Sequence, residues 1–375
     1  MKVCHLSVLR GFAGLAAQLS YEQSAAKTIE GVDWEVKAFF AVSNNTGGCV
    51  RRLPPGFRGL VSRKLFAWLW LCWNARKYDW VLMRYDPADP FGPIFAPFIR
   101  RRISVHHTKE IETMPATRSG WRGALATHIE RFCGHRTIRH ADAILAVTDE
   151  IRDYQCDRIA AFGNRPSAVY PNGVMVDLIQ LGADKRPSNY WVMGFMATQF
   201  QSWHGLEHLL TALRIWVQSE TEKDCKGVLL HLMGQISTEQ KTAIDELNAL
   251  APSDRLQIKT HGHLNASGCQ EVFSQCHIGL GSFGFGRDGL MEGSTFKVRE
   301  MLAYGVPVYS GHKDAALSED FPYYQQGKPE IQKILDFAQL HSQTPRERVR
   351  AAATPWIDKK HCVARVVNFL QTLPR

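Results

Sequence analysis

The sequence predicts an α/β protein made of two Rossmann-like domains in tandem. Three observations carry that expectation. Each half opens with an apolar strand, a glycine turn and a helical stretch: residues 3–9 with Gly11 and Gly14, then residues 190–195 with Trp203-His204-Gly205. Short apolar runs of strand length then alternate with helix-length stretches, the pattern of a parallel sheet covered on both faces. Finally, 375 residues are too many for one ordinary core, and the polar stretch 181–189 (LGADKRPSN) reads as a linker. The expected boundaries are 1–180 for the first domain and 190–355 for the second. Residues 356–375 are expected to form a terminal helix returning to the first domain.

Composition narrows the class. Hydrophobic residues make up 45% and charged residues 22%, as in a soluble globular protein. The net charge of +9 favours anionic partners, which include nucleotide-sugars, anionic lipid and nucleic acid. The nine cysteines show no C-x-x-C pair and no metal-like grouping with histidine, so no metal is expected and a reducing cytoplasm fits best. The N-terminus reads as a strand, so no signal peptide is expected. No apolar run approaches the roughly 20 residues that span a bilayer.

In the first domain, strands are expected at 3–9, 34–41, 80–84, 103–107 and 141–147, with a loop over 44–59. Residues 64–75 (KLFAWLWLCWNA) form a helix that is apolar nearly all round, which points to burial. Its flanks Arg63, Lys64, Arg76 and Lys77 also suit a Trp-rich helix lying on an anionic membrane. The Arg100-Arg101-Arg102 triplet reads as a solvated turn, with phospholipid contact second. Strand ends in such folds open onto the ligand site, which singles out Arg84 and the pair His106-His107. Neighbours on a strand face opposite ways, so one histidine faces the site; His107 is preferred over His106. Gly11, Gly14, Arg84 and Asn172 are the candidate residues on this side, although a Gly-x-x-Gly turn and an Asn-Gly turn are each weak signals.

In the second domain, a loop is expected at Gly194 to Ala197, then a helix to 217. Strands follow at 228–233 and 256–260, and helices at 237–250, 269–276, 314–321 and 329–343. A last helix starts at Pro355-Trp356. The most informative stretch is 281–307, GSFGFGRDGLMEGSTFKVREMLAYGVP. Seven residues separate Glu292 from Glu300. Ser294-Thr295 reads as an N-cap, 296–304 as a helix, and Gly305 with Pro307 as its stop. Free N–H groups at such a helix start suit a phosphate, and Lys297 adds a charge there.

The segment E-GSTFKVR-E-MLAYG-VPV resembles the C-terminal-domain motif of family 4 retaining glycosyltransferases of the GT-B fold. Those enzymes show a Glu, seven residues, a second Glu, a small-residue helix end and Gly-x-Pro-Val. The segments VHHTKEIE, ADAILAVTDEI and VYPNGV resemble first-domain elements of bacterial surface-polysaccharide members. The resemblance is strong over 262–309, moderate at ADAILAV and PNGV, and weak before residue 80. It implies two Rossmann-like domains facing each other across a cleft, an acceptor domain first and a donor domain second. It also implies a UDP- or GDP-sugar donor, transfer of a hexosyl unit to a glycan or lipid-linked acceptor, retention of configuration, and no metal or cofactor.

Residue by residue, the resemblance puts Ser294, Thr295, Phe296 and Lys297 on the donor diphosphate, and Glu300 on the ribose. It puts Glu292 on the donor sugar, and Gly262, His263 and Leu264 on the base. Gly194 and His204 fall on the phosphate loop, and His107 orders the sugar or acceptor. The catalytic set is thus His107, Glu292 and Lys297. The sequence departs from the family where an Arg is absent and His204 replaces a lysine, which shifts weight onto Lys297. Rival readings are a sugar-nucleotide epimerase of the same fold and a non-catalytic nucleotide-sugar binder. The basic residues are too dispersed for a nucleic-acid module. A cytoplasmic protein with peripheral contact at the inner face of the plasma membrane is the expected location.

Overall fold

The computed structural model describes residues 1–11, 13–42, 48–117, 120–219 and 226–374. Of the loop expected over 44–59, residues 44–47 lie outside the described residues. The chain divides into two compact units, Met1–Met175 with Asp358–Arg375, and Val176–Ile357.

Unit 1 is built on seven parallel strands: β1 (Lys2–Leu9), β2 (Asp33–Phe40), β3 (Val50–Arg52), β4 (Trp80–Arg84), β5 (Arg102–His106), β6 (Ala143–Ala146) and β7 (Ser167–Val169). Their order is β3-β2-β1-β4-β5-β6-β7, the doubly wound arrangement. Side-chain alternation along β1 splits the core in two. Val3 packs with Leu82, Val105 and Leu145 against helix α1 (Ala13–Ala26). Cys4, Leu6 and Val8 pack on the other face against Ala67, Trp68 and Leu71 of α2 (Ser62–Asn74). The remaining helices here are α3 (Gly92–Phe95), α4 (Glu110–Thr117), α5 (Gly120–Ile138) and α6 (Asp149–Ile159). Thr148 caps α6 by accepting from the Ile151 N–H.

Unit 2 repeats the scheme with β8 (Tyr190–Gln199), β9 (Gly227–Gln235), β10 (Leu256–Thr260), β11 (Ile278–Leu280), β13 (Val308–Ser310) and β15 (Tyr324–Gln326). The order is β10-β9-β8-β11-β13-β15, again all parallel. A separate two-stranded piece pairs β12 (Glu292–Gly293) with β14 (Lys313–Asp314). The helices are α7 (Leu206–Gln218), α8 (Thr238–Leu250), α9 (Ala266–Gln275), α10 (Phe296–Ala303), α11 (Ile331–Leu340) and α12 (Arg346–Ile357). The polar stretch 181–189 is tied to this unit: the Lys185 N–H donates to Ser274 O, and its Nζ meets Glu271. Helix α13 (Lys359–Thr372) belongs to unit 1 and sends Cys362, Val363, Val366 and Leu370 into the α1 core.

Several local expectations are corrected. Residues 314–321 are not a helix, because Asp314 is consumed by β14 and by a buried ion pair with Arg299. Pro355 does not start the last helix; it sits in the last turn of α12, and Asp358 caps α13. Arg63 and Lys64 are not exposed flanks of α2. Arg63 pairs with Asp86, and Lys64 donates to Ala88 O at 2.7 Å. Arg102 is fully buried, donating to Thr137 O at 2.8 Å and lying over the Trp68 ring. Among the described residues, no helix is long and apolar enough to cross a membrane, and no group of three metal-ligating side chains comes together.

Candidate active site

In unit 2 the site is assembled around the start of α10. Thr295 takes the N-cap position with extended backbone (φ −89°, ψ 140°), but its side chain does not cap the helix. Ser294 does not cap either; its Oγ accepts from Arg299 Nη2 at 3.2 Å. Thr295 Oγ1 is therefore buried without a partner, beside the free N–H groups of the first helical turn. Lys297 sits in that turn. Its Nζ donates to Ser282 Oγ at 3.2 Å and lies 5.2 Å from the Phe195 ring centroid. No carboxylate pairs with it among the described residues, and desolvation pulls its ammonium down to about 7. Glu300, one turn on, is pushed up to about 7 by the same cause. Glu292 is in β12, where its Oε1 is 3.5 Å from Lys313 Nζ.

The rigidity of α10 comes from its other face. Arg299 is completely buried and forms a two-pronged bond to Asp314, with Nη2 2.7 Å from Oδ1. Gly305 closes the helix at φ +71°, where a Cβ would meet the Arg346 backbone at 2.4 Å.

The second wall is the turn before α7. Gln201 N–H donates to His204 Nδ1 at 2.9 Å, which fixes the neutral ring with its proton on Nε2. Burial first, and then the charge of Lys297, pull His204 down to about 3. At neutral pH His204 is a hydrogen-bond donor and carries no charge. Gly205 follows at φ +68°, and a Cβ there would sit 2.7 Å from Gly284 N and Phe283 C. The turn is thus pressed against the loop that carries Ser282, the partner of Lys297. Gly194 is placed differently from expectation: it lies inside β8, where a Cβ would press on Cys276 and Phe273, and the strand runs on to Gln199. Gly262 (φ +63°) ends β10's turn and accepts from the Gly234 N–H at 2.6 Å; His263 and Leu264 follow it in the loop before α9. Phe296 is the first residue of α10.

In unit 1 the two histidines separate cleanly. His106 is buried in a complete network: Nδ1–H donates to Glu110 at 2.8 Å, and Ser104 Oγ lies 2.8 Å from Nε2. Arg158 and Gln155 in turn satisfy Glu110. His107 instead has a buried, unpartnered Nε2, and its pKa is driven well below the ordinary range by burial and then by Arg84. Arg84 also keeps a buried Nη1 without a partner. Gly11 adopts φ +90° with its Cα against the Phe40 ring, while Gly14 lies within α1 and not in the turn. Asn172 Oδ1 accepts from Gln18 of α1.

Ser282 is not among the residues that the sequence singles out; its only signal is a place two residues past the buried strand β11. Thr295 is singled out as a cap and a diphosphate contact, and its geometry shows that the hydroxyl does not cap the helix.

No family model matches the chain, and no curated protein matches it in sequence. Solved structures do. HepE from Anabaena, solved with UDP and glucose, superposes over 100% of both chains with a TM-score of 0.57 and 15% identity. Sucrose-phosphate synthase from Thermosynechococcus elongatus gives 0.65 at 14% identity, over 99% of this chain and 98% of that one. The lipopolysaccharide outer core galactosyltransferase WaaB gives 0.61 at 12% identity, over 98% and 99%. The fold is GT-B. With identities this low, the GT-B likeness speaks for the architecture of the two units.

Proposed function

We propose that the chain is a retaining glycosyltransferase. It moves a hexosyl unit from a UDP- or GDP-sugar to a glycan or lipid-linked acceptor in surface-polysaccharide synthesis. The observation that carries this reading is Lys297: a desolvated amine with no carboxylate partner among the described residues, set in the first turn of a helix whose N-cap hydroxyl is also unused. A free cation and a row of free N–H groups are what a departing diphosphate needs. Neighbouring structures solved with UDP-glucose support the donor class.

In this reading Lys297 and the α10 N-terminus take the diphosphate charge without a metal, and His204 Nε2–H donates to a phosphate oxygen. Glu300 accepts from the ribose hydroxyls, and Glu292 from the sugar. The leaving phosphate takes the proton of the attacking hydroxyl, so no protein nucleophile is required. His107 and Arg84 serve the acceptor side.

The test is a thermal-shift panel of UDP, GDP, CDP and their sugars, followed by assays with and without acceptor. Stabilisation by one nucleotide and acceptor-dependent nucleotide release are expected. No shift with any nucleotide would sink the proposal. Stereochemical change of donor alone, with no nucleotide freed, would indicate an epimerase.

A further inference from the structure

The candidate residues Gly11, Arg84 and His107 lie at the carboxyl edge of the unit 1 sheet. The opposite, amino edge carries a different chemistry. Helix α2 ends there; its outer face shows Leu69, Cys72 and Trp73, and Arg76 is exposed in the turn that follows. Trp73 is 82% exposed. Phe98, in the segment that leads to β5, is 79% exposed. A groove of about 690 Å³ separates the end of α2 from this segment, lined by Cys72, Arg76, Phe98, Arg100 and Arg101. A second hollow of about 430 Å³ continues from Ile99 and Arg100 to Arg139 and Arg165. The acids at this edge include Asp33, 3.6 Å from Lys2, Asp79, 4.0 Å from Arg101, and Asp142, which accepts from the Arg102 N–H at 3.0 Å, but none of the residues lining the first groove is acidic.

Arg101 adds an independent sign. Its φ is +61°, the left-handed region that side chains other than Gly and Asn rarely adopt. Glycine would relax this turn, yet the position holds an exposed arginine. Backbone strain kept under a charge suggests that the charge has a use.

We propose that this edge docks on an anionic lipid bilayer. Tryptophan and phenylalanine suit the headgroup boundary, and the arginines flanking them meet the lipid phosphates. The buried half of α2 stays in the core, so docking uses only its exposed stripe. The inference does not rest on the sugar-transfer reading and is tested without any nucleotide.

The experiment is co-sedimentation of the full chain with vesicles at low salt. Binding is expected to phosphatidylcholine vesicles rich in phosphatidylglycerol, not to phosphatidylcholine alone, and to fade as salt is raised. Arg100→Gln with Arg101→Gln is expected to weaken partitioning about thirtyfold, roughly fivefold per arginine. Trp73→Ala with Phe98→Ala is expected to weaken it severalfold. All four side chains lie outside the sites described above, so an unchanged circular dichroism spectrum and melting temperature serve as the check on folding. Arg101→Gly is expected to weaken binding without lowering the melting temperature. The proposal is overturned if the wild type does not bind anionic vesicles, or if either double variant binds like the wild type. Trp121 and Phe132 are exposed aromatics of α5, at 71% and 58%, and the proposal is also overturned if Trp121→Ala with Phe132→Ala abolishes binding while the α2 variants do not. Displacement by millimolar inorganic phosphate at matched ionic strength would assign the groove to a soluble phosphate and refute the bilayer.

Discussion

Glu22 of unit 1 and Glu300 of unit 2 are both enclosed glutamates on helices, and they have opposite fates. Glu22 is met by three donors: His5 Nδ1 at 2.6 Å, Trp34 Nε1 at 3.1 Å and Lys359 Nζ at 3.6 Å. Burial alone would raise its pKa, but His5 and Lys359 outweigh it and hold the carboxyl at about 2. Glu300 has only the burial. The same contrast holds for the cations, since Lys359 faces Glu22 and Lys297 pairs with no acid among the described residues. Around Glu22, unit 1 has spent its buried charges on its own structure. Unit 2 keeps a cation and a carboxyl uncompensated, a state that costs stability and that only a ligand would relieve.

The sharpest way to break this contrast is through activity. Lys297→Ala is expected to lower kcat/KM for the nucleotide-sugar about 10²–10³-fold, the scale of one lost oxyanion-type contact. Glu22→Gln should barely move that constant in protein that remains folded. Steady-state kinetics on the two variants decides, and equal losses would erase the distinction.

Stability comes next. The folded pKa of Glu22 lies below its unfolded value of 4.5, so its contribution is present above pH 4.5 and lost as pH falls toward 2. Glu22→Gln is expected to cost about 3 kcal/mol at pH 7, read from denaturant melts. Glu300 has the opposite sign. Its folded pKa of about 7 exceeds the unfolded 4.5, so the folded state loses stability as pH rises from 4.5 through 7. Glu300→Gln should therefore stabilise the unliganded protein by about 2 kcal/mol at pH 8 and by nothing below pH 4.5, while weakening donor binding. A destabilised variant at pH 8 would mean Glu300 is compensated after all.

Smaller effects sharpen the picture. With Lys297 at about 7, nucleotide binding at pH 8 should take up a proton, and affinity should fall as pH rises. Calorimetry in buffers of different ionisation heat reads this directly; no proton uptake would show the lysine to be charged beforehand. His204 carries no charge, so His204→Ala is expected to cost only about tenfold in donor affinity, the scale of one hydrogen bond. A loss as large as that of Lys297→Ala would overturn the ranking.

The two regions also differ in what the sequence reveals. Parallel strands buried on both faces are near-continuous apolar runs, so β4 (WVLMR) is readable residue for residue. The turn chemistry of α10 is local too, and Glu292, Lys297 and Glu300 stand out by spacing. Glu22, His5 and Lys359 do not, because their meeting depends on the sheet bringing distant segments together. The same holds for Arg299 with Asp314, which is why residues 314–321 read as a helix by composition alone. Helix α12 was hidden by Pro355 near its end and a strongly charged start. The burial of Arg63 and Lys64 was hidden because their acceptors, Asp86 and the carbonyl of Ala88, come from another loop.

Helix α13 gives the order of synthesis a consequence. Its apolar side chains and Lys359 complete the α1 core and neutralise Glu22, yet they follow the whole of unit 2 in the chain. While the chain emerges from the ribosome, the first unit to appear is the last to be sealed. Until residues 359–372 arrive, the α1 core lacks the apolar side chains that close it, and Glu22 lacks one of its two cationic partners.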